Sequence, residues 1–177
     1  MMSYKYLQRI ILLLSVLTVT ISVRAQVNIP KDTPTMEFVM QLRVTLGQAY
    51  SLGNTSHGQR NVIPITGGSF EGPRIKGTIL NGGADYQLSS REGRRTELEA
   101  IYSILTDDGI YIHVRNRGLI AMTTDEQGNS HTYFKAAPQF EAPVDSPYAW
   151  LNNALYVCQP DWSPSFKGII LNVWMVK

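Results

Sequence analysis

The stretch TELEAIYSILTDDGIYIHVRNRG, residues 96–118, decides the fold because it has the pattern of two strands joined by one tight turn. Polar and apolar residues alternate on both sides of Asp108-Gly109, which is the period of a half-buried β-strand. Aspartate and glycine tolerate the positive φ angles of hairpin turns, so the pair predicts a hairpin between residues 96–105 and 110–118. The mainly apolar face of the first strand carries Leu98, Ala100, Tyr102 and Ile104.

The same pattern extends outward over most of the chain. Short apolar segments are separated by glycine-containing turns such as Asn81-Gly82-Gly83 and Gln127-Gly128-Asn129, and Gly67-Gly68 has the same appearance. The predicted strands are residues 36–46, 61–65, 74–80, 84–90, 96–105, 110–118, 131–137, 154–159 and 168–176. Only residues 147–154 look helical. The pattern predicts one all-β antiparallel domain, either a sandwich with its polar strand faces in solvent or a barrel with some of them lining a ligand site.

The N-terminal 25 residues have the order of a secretory signal peptide. Lys5 and Arg9 precede the apolar residues 10–23, and Val23 and Ala25 stand at the −3 and −1 positions of a cut before Gln26. A membrane anchor is the alternative, but the apolar run is shorter than the roughly 20 residues that span a bilayer. We expect export to the periplasm or the outside of the cell, without membrane attachment after cleavage. Residues 26–35 then form a lead-in, and residues 36–177 form the domain.

Composition excludes several classes of protein. The chain has 16 basic and 14 acidic residues, and loss of the three positive charges of the leader leaves 13 and 14, a net charge of −1. That balance gives no case for nucleic-acid binding, which requires a clustered basic face. One cysteine, Cys158, allows neither an intrachain disulfide nor a cysteine metal cluster, and we expect it in the core. The three histidines are scattered, so we predict no metal and no cofactor.

Two segments carry a family resemblance. GQRNVIPITGGSFEGPRIKGTILNGGADYQLSSREGRRTELEAIYSILTDDGIYIHVRNRG, residues 58–118, and KAAPQFEAPVDSPYAWLNNALYVCQ, residues 135–159, resemble the DUF3237 (UPF0311) family. The resemblance covers about residues 37–177 and implies a single-domain antiparallel β-barrel, lipocalin-like or a similar closed barrel. The chain has Tyr86 where the family would have tryptophan. It also has Ile101 where the family would have arginine, which puts in doubt any site chemistry that needs that guanidinium.

Three carboxylates are the first candidates for chemistry. Glu71 and Asp85 follow glycine pairs, and Glu99 lies in the next strand. If consecutive strands pair in a barrel, the three would approach one another and raise each other's pKa, so that one could act as a general acid or base near neutral pH. The alternative is that each is exposed or paired with a nearby arginine. We predict Glu71 and Asp85 as catalytic residues and Glu99 as a binding residue.

Three further side chains are candidates for ligand binding. Arg60 enters a strand and would either anchor a carboxylate or enolate by a bidentate fork or form a structural ion pair. His113 would serve as a proton shuttle or lie on the surface of its strand. Trp150, in the short helical segment, would either line the mouth of a barrel or plug one end of it.

Together these features predict an exported, small-molecule-binding β-barrel. As an enzyme it would carry out metal-free and cofactor-free acid–base chemistry as an isomerase, lyase or hydrolase. The alternative is a non-catalytic binding or structural module, including a homo-oligomeric one. The two differ in whether the side chains of Glu71, Asp85 and Arg60 all point into a barrel cavity.

Overall fold

The computed structural model describes residues 32–177. The predicted signal peptide, residues 1–25, lies outside the described residues. Within the described part of the chain, no helix is long and apolar enough to cross a membrane.

Ten strands and one short 3-10 helix make up the described region. The strands are β1 Met36–Leu46, β2 Tyr50–Thr55, β3 Gly58–Glu71, β4 Lys76–Ile79, β5 Gly83–Ser89, β6 Arg95–Thr106, β7 Tyr111–Thr124, β8 Ser130–Glu141, β9 Tyr156–Asp161 and β10 Gly168–Val176. The 3-10 helix, Ala149–Asn153, lies inside the segment predicted to be helical.

The strands close into an antiparallel barrel. Their order runs β1, β10, β9, β8, β7, β6, and β6 then pairs with both β4 and β5. These two short strands lie end to end along β3, and β3 pairs back with β1. The result is an eight-stranded closed barrel with two extra strands, which confirms the all-β antiparallel barrel predicted from the sequence. The hairpin at Asp108-Gly109 joins β6 to β7, also as predicted.

The Gly67-Gly68 pair is not a turn, contrary to its appearance in the sequence. It lies inside β3, which continues through it for 14 residues. Gly68 has φ +135, and a Cβ atom added there would lie 2.0 Å from the backbone oxygen of Arg43 on β1. Glycine is needed because β3 approaches β1 closely at the point where its partner changes from β5 to β4.

Large apolar side chains fill one end of the barrel. Met40, Ile104 and Ile112 are fully buried there, and Leu151 of the 3-10 helix is 1% exposed in the same core cluster. The 3-10 helix is thus packed against the core next to this filled end. Open space inside the barrel lies towards the other end, and the candidate site is there.

Candidate functional site

A cavity occupies the interior of the barrel between β1, β3 and the strands β5 to β10. Its volume is about 90 Å³. That volume is several times the space that one buried water needs, and it is somewhat over half of the roughly 150 Å³ of an apolar cavity that binds benzene. Most of its lining is aliphatic or aromatic, with Ile65, Phe134 and Leu171 among the contributors. A mostly apolar cavity with a few polar groups is the usual form of a small-molecule site.

Asp85 supplies the carboxyl group of this cavity. It lies in β5, between Ile63 of β3 and Ala100 of β6 in the strand register. Its Oδ2 accepts a hydrogen bond of 2.8 Å from Gln87 Nε2, whereas its Oδ1 is buried and has no hydrogen-bond partner within residues 32–177. Burial raises the pKa of Asp85, although the Gln87 side chain and, to a smaller extent, the nearby Glu99 backbone oppose the rise. The raised pKa shifts Asp85 towards its protonated form relative to an exposed aspartate, and that form can donate a proton.

Asn116 is a second polar group in the cavity, and the sequence analysis did not single it out. It lies in β7, is 6% exposed, and its Oδ1 also lacks a partner among the described residues. In the strand register Asp85 pairs with Ala100, and Ala100 pairs with Asn116, so the three form one rung across β5, β6 and β7. Alternation along β7 could have identified Asn116, because it lies on the same strand face as Ile112 and Val114, which are both fully buried.

Strand β5 presents its polar face to the interior. Asp85 and Gln87 line the cavity, whereas Tyr86 between them is 43% exposed. The register explains this orientation, because Asp85 lies opposite Ile63, whose side chain also lines the cavity. Side chains on neighbouring strands of one rung point to the same face of a sheet.

The other two carboxylates do not reach the cavity, so the expected cluster does not form. Glu71 is exposed in β3 and lies opposite Gln41 and Lys76 in the register. Glu99 lies on the outer face of β6, next in sequence to inward-facing Ala100, because consecutive residues of a strand alternate between its two faces. Of the predicted catalytic pair, the structure places only Asp85 at the cavity.

Arg60 and Glu99 lie in a shallow cleft on the outside of the barrel, which Arg117 also lines. Glu99 Oε1 accepts hydrogen bonds from Arg115 Nε at 2.8 Å and from Arg117 Nε at 3.0 Å. These two guanidinium groups lower the pKa of Glu99. The outward direction of Arg60 removes it from any ligand that contacts Asp85 inside the barrel.

His113 and Trp150 also lie away from the cavity. His113 alternates with the fully buried Ile112 and Val114, so it faces outward from β7. Trp150 belongs to the 3-10 helix at the filled end, where its ring packs against the core. The guanidinium carbon of Arg74 lies over this ring, 4.1 Å from the ring centre. Of the two alternatives for Trp150, this position corresponds to the plug.

Trp162, which follows β9, is the most exposed of the aromatic residues that line the cavity. It lines the cavity and is 62% exposed, so it lies where the cavity meets solvent. Nothing in the sequence marks Trp162 as a cavity residue, because a tryptophan after a short strand forms no recognisable motif with its neighbours. Cys158 of β9 is buried in the core as expected, and burial raises the pKa of its thiol to about 12. Within residues 32–177, no group of three or more metal-ligating side chains is placed to hold an ion.

The sequence and the fold of this chain are similar to those of several known proteins. The family model described as "Protein of unknown function (DUF3237)" matches residues 34–176. A UPF0311 protein of Rhodopseudomonas palustris is 35% identical over 136 residues, which are 71% of this chain and 88% of the relative. A hydroalkoxylation enzyme of Penicillium herquei is 30% identical over 146 residues, or 81% of this chain and 85% of that enzyme. The solved structure of a beta-barrel-like protein from Acinetobacter baumannii matches with a TM-score of 0.72 and 32% identity, over 84% of this chain and 99% of the other.

Proposed function

The chain belongs to the DUF3237 family, and from that premise we propose that it binds a small organic molecule in its barrel and carries out acid–base chemistry on it with Asp85. The observation that carries the proposal is that Asp85 lines an apolar cavity and that its buried Oδ1 has no hydrogen-bond partner in the described chain. A carboxyl group left in this state costs stability, and such groups are concentrated at functional sites.

Among isomerase, lyase and hydrolase chemistry, we favour addition to a carbon–carbon double bond or its reverse. One relative is named as a hydroalkoxylation enzyme, and hydroalkoxylation is the addition of an alcohol O–H across C=C. The reaction breaks the O–H bond and the π bond, and it forms one C–O and one C–H bond. Its only net transfer is a proton from oxygen to carbon, so it needs an acid and a base but no oxidant.

Asp85 has the properties for both parts of this transfer. Its pKa is raised by burial, so a protonated fraction persists above the usual range of an aspartate, and that fraction protonates the alkene carbon. The carboxylate formed in this step then takes the proton of the attacking hydroxyl, which restores the acid. The apolar walls exclude water, which would otherwise compete as the nucleophile.

The test is turnover of a simple substrate that contains both reacting groups. We expect the protein to convert 2-allylphenol in D₂O to the cyclic ether with deuterium on carbon, as detected by mass spectrometry. Asp85→Asn should lower the rate by at least about 100-fold, because positioned acid–base groups contribute about 10²–10⁴-fold. Asp145→Asn, in an exposed loop, is the matched control and should keep the wild-type rate.

Two results would contradict the proposal in different ways. Unchanged turnover in Asp85→Asn would remove Asp85 from the reaction. Saturable binding of 2-allylphenol without any turnover by the wild-type protein would favour the non-catalytic binding module.

We also propose that the protein is exported, on the basis of residues 1–25 alone. Expression with the full leader should give a periplasmic or extracellular product whose intact mass begins at Gln26. A product that keeps the leader and stays in the cytoplasm would contradict this proposal.

A further inference from the structure

We infer that Asn116 binds the hydroxyl group of the substrate, and that the substrate is a neutral organic molecule about the size of one ring. The inference rests on the proposed function of the cavity and names the ligand class that the cavity accepts. Three observations support it: an unpartnered amide oxygen, the positions of three residues on one rung, and the charges around the cavity.

The amide oxygen of Asn116 is a buried acceptor without a donor. Asn116 is 6% exposed, lines the cavity, and its Oδ1 finds no hydrogen-bond partner within the described chain. Folded proteins leave few buried acceptors unpaired, because such a group has lost its water without replacement. A hydroxyl group is the simplest neutral donor that a ligand can bring to this oxygen.

The rung that holds Asn116 also sets the size of the ligand. Ala100 lies between Asp85 and Asn116, and each neighbouring strand is about 4.8 Å away, so the two polar backbones are about 10 Å apart. Ala100 contributes only a methyl group to the space between them. A single ring lying over Ala100 fits this space with its hydroxyl between Asn116 and Asp85, so the group that Asn116 binds is the one whose proton Asp85 takes.

The charge of the cavity selects a neutral ligand. None of the described residues that line it is basic, and Asp85 is its only acidic one. Arg60 and Arg117, which would bind a carboxylate or phosphate, lie in the cleft on the outside of the barrel. An anion inside the barrel would lose its water without gaining a counter-charge, which is strongly unfavourable.

The experiment compares three one-ring probes by isothermal titration at neutral pH. Phenol has the hydroxyl donor, toluene has the same shape without it, and benzoate carries a negative charge. For the wild-type protein we expect phenol to bind about tenfold more tightly than toluene, the value of one ordinary hydrogen bond, and benzoate not to bind. In Asn116→Leu the tenfold preference for phenol should disappear while toluene still binds.

A control variant separates this effect from a general change in the barrel. Gln139→Leu changes an exposed position on the outer face of β8 and should keep the tenfold preference. Should Asn116→Leu fail to fold, Asn116→Ala removes the same oxygen without adding bulk. Phenol and toluene contain no alkene and are not turned over, so this binding comparison stands even if the proposed reaction fails.

Each of the other outcomes overturns the inference. Equal affinities of the wild-type protein for phenol and toluene would show that water alone serves the Asn116 oxygen. A phenol preference that survives in Asn116→Leu and Asn116→Ala would place the hydroxyl elsewhere. Tight benzoate binding would overturn the neutral class, and failure of both neutral rings to bind would overturn the ring-sized class.

Discussion

Replacement of Asp85 by asparagine is expected to stabilise the protein at neutral pH, although it removes the proposed proton-transfer group. Wild-type Asp85 is a buried carboxyl whose Oδ1 has no partner in the described chain. Asparagine has nearly the same shape and carries no charge to desolvate. Its amide oxygen can accept the hydrogen bond that Gln87 Nε2 now donates to Oδ2 at 2.8 Å.

The size of the gain follows from the state of that carboxyl. A buried polar group without a partner costs about 1–3 kcal/mol, and a charged one costs more. The variant still leaves one amide group imperfectly paired, so we expect a net gain of about 1 kcal/mol in the free energy of unfolding. For a domain of this size, that corresponds to a rise of about 2–4 °C in Tm.

The gain should depend on pH, with a definite sign. The ordinary pKa of an aspartate is 3.8, and burial raises the pKa of Asp85 in the folded state. Between these two values the folded protein holds a proton that the unfolded chain releases, so wild-type stability falls as the pH rises through the raised pKa. The stability of Asp85→Asn shows no such fall with pH, because the asparagine side chain does not titrate. The Tm difference should therefore be small below the unfolded pKa and largest above the folded one.

Calorimetry of the wild-type protein and Asp85→Asn from about pH 3 to about pH 8 measures this difference. Glu71→Gln is the matched control for stability, because Glu71 is exposed and surface substitutions change stability little. A variant that is less stable than wild type at pH 8 would refute the reasoning. So would a Tm difference that stays constant across the pH range.

Three further changes test other parts of the structure. Gly68→Ala should lower the free energy of unfolding, measured by urea titration, by about 3 kcal/mol or more. The new Cβ would lie 2.0 Å from the backbone oxygen of Arg43, and φ is +135 at this position. A loss below about 1 kcal/mol would contradict the close approach of β3 to β1. Cys158, whose thiol pKa is raised to about 12 by burial, should resist iodoacetamide at pH 8 until the protein is unfolded, and rapid labelling of the native protein would contradict its burial. Trp162→Ala should weaken phenol binding about three- to tenfold, the value of one aromatic contact, with little change in Tm because the side chain is 62% exposed; unchanged affinity would remove it from the cavity opening.

Local pattern was sufficient to predict most of the fold. The alternation in residues 96–118 and the Asp108-Gly109 turn predicted the β6–β7 hairpin, since both depend only on neighbouring residues. The hairpin of β2 with β3 and the continuation of β3 through Gly67-Gly68 were missed. A glycine pair in a turn and a glycine pair at a close strand contact look alike in sequence, and only the contact with β1 distinguishes them.

The candidate site was less predictable, because alternation defines two faces of a strand but does not say which one turns inward. In β6 the apolar face is internal, as its composition suggests, and Glu99 is therefore outside. In β5 the pairing of Asp85 with Ile63 and Ala100 turns the polar face inward instead. The sequence pattern by itself thus determined most of the strands, the all-β antiparallel class and Asp85 as a candidate, and the family resemblance indicated the barrel. Closure of the sheet through β3 and β1 decided that Asp85 and Asn116 share one cavity while the arginines remain outside, because barrel closure assigns each face of every strand to the interior or to solvent.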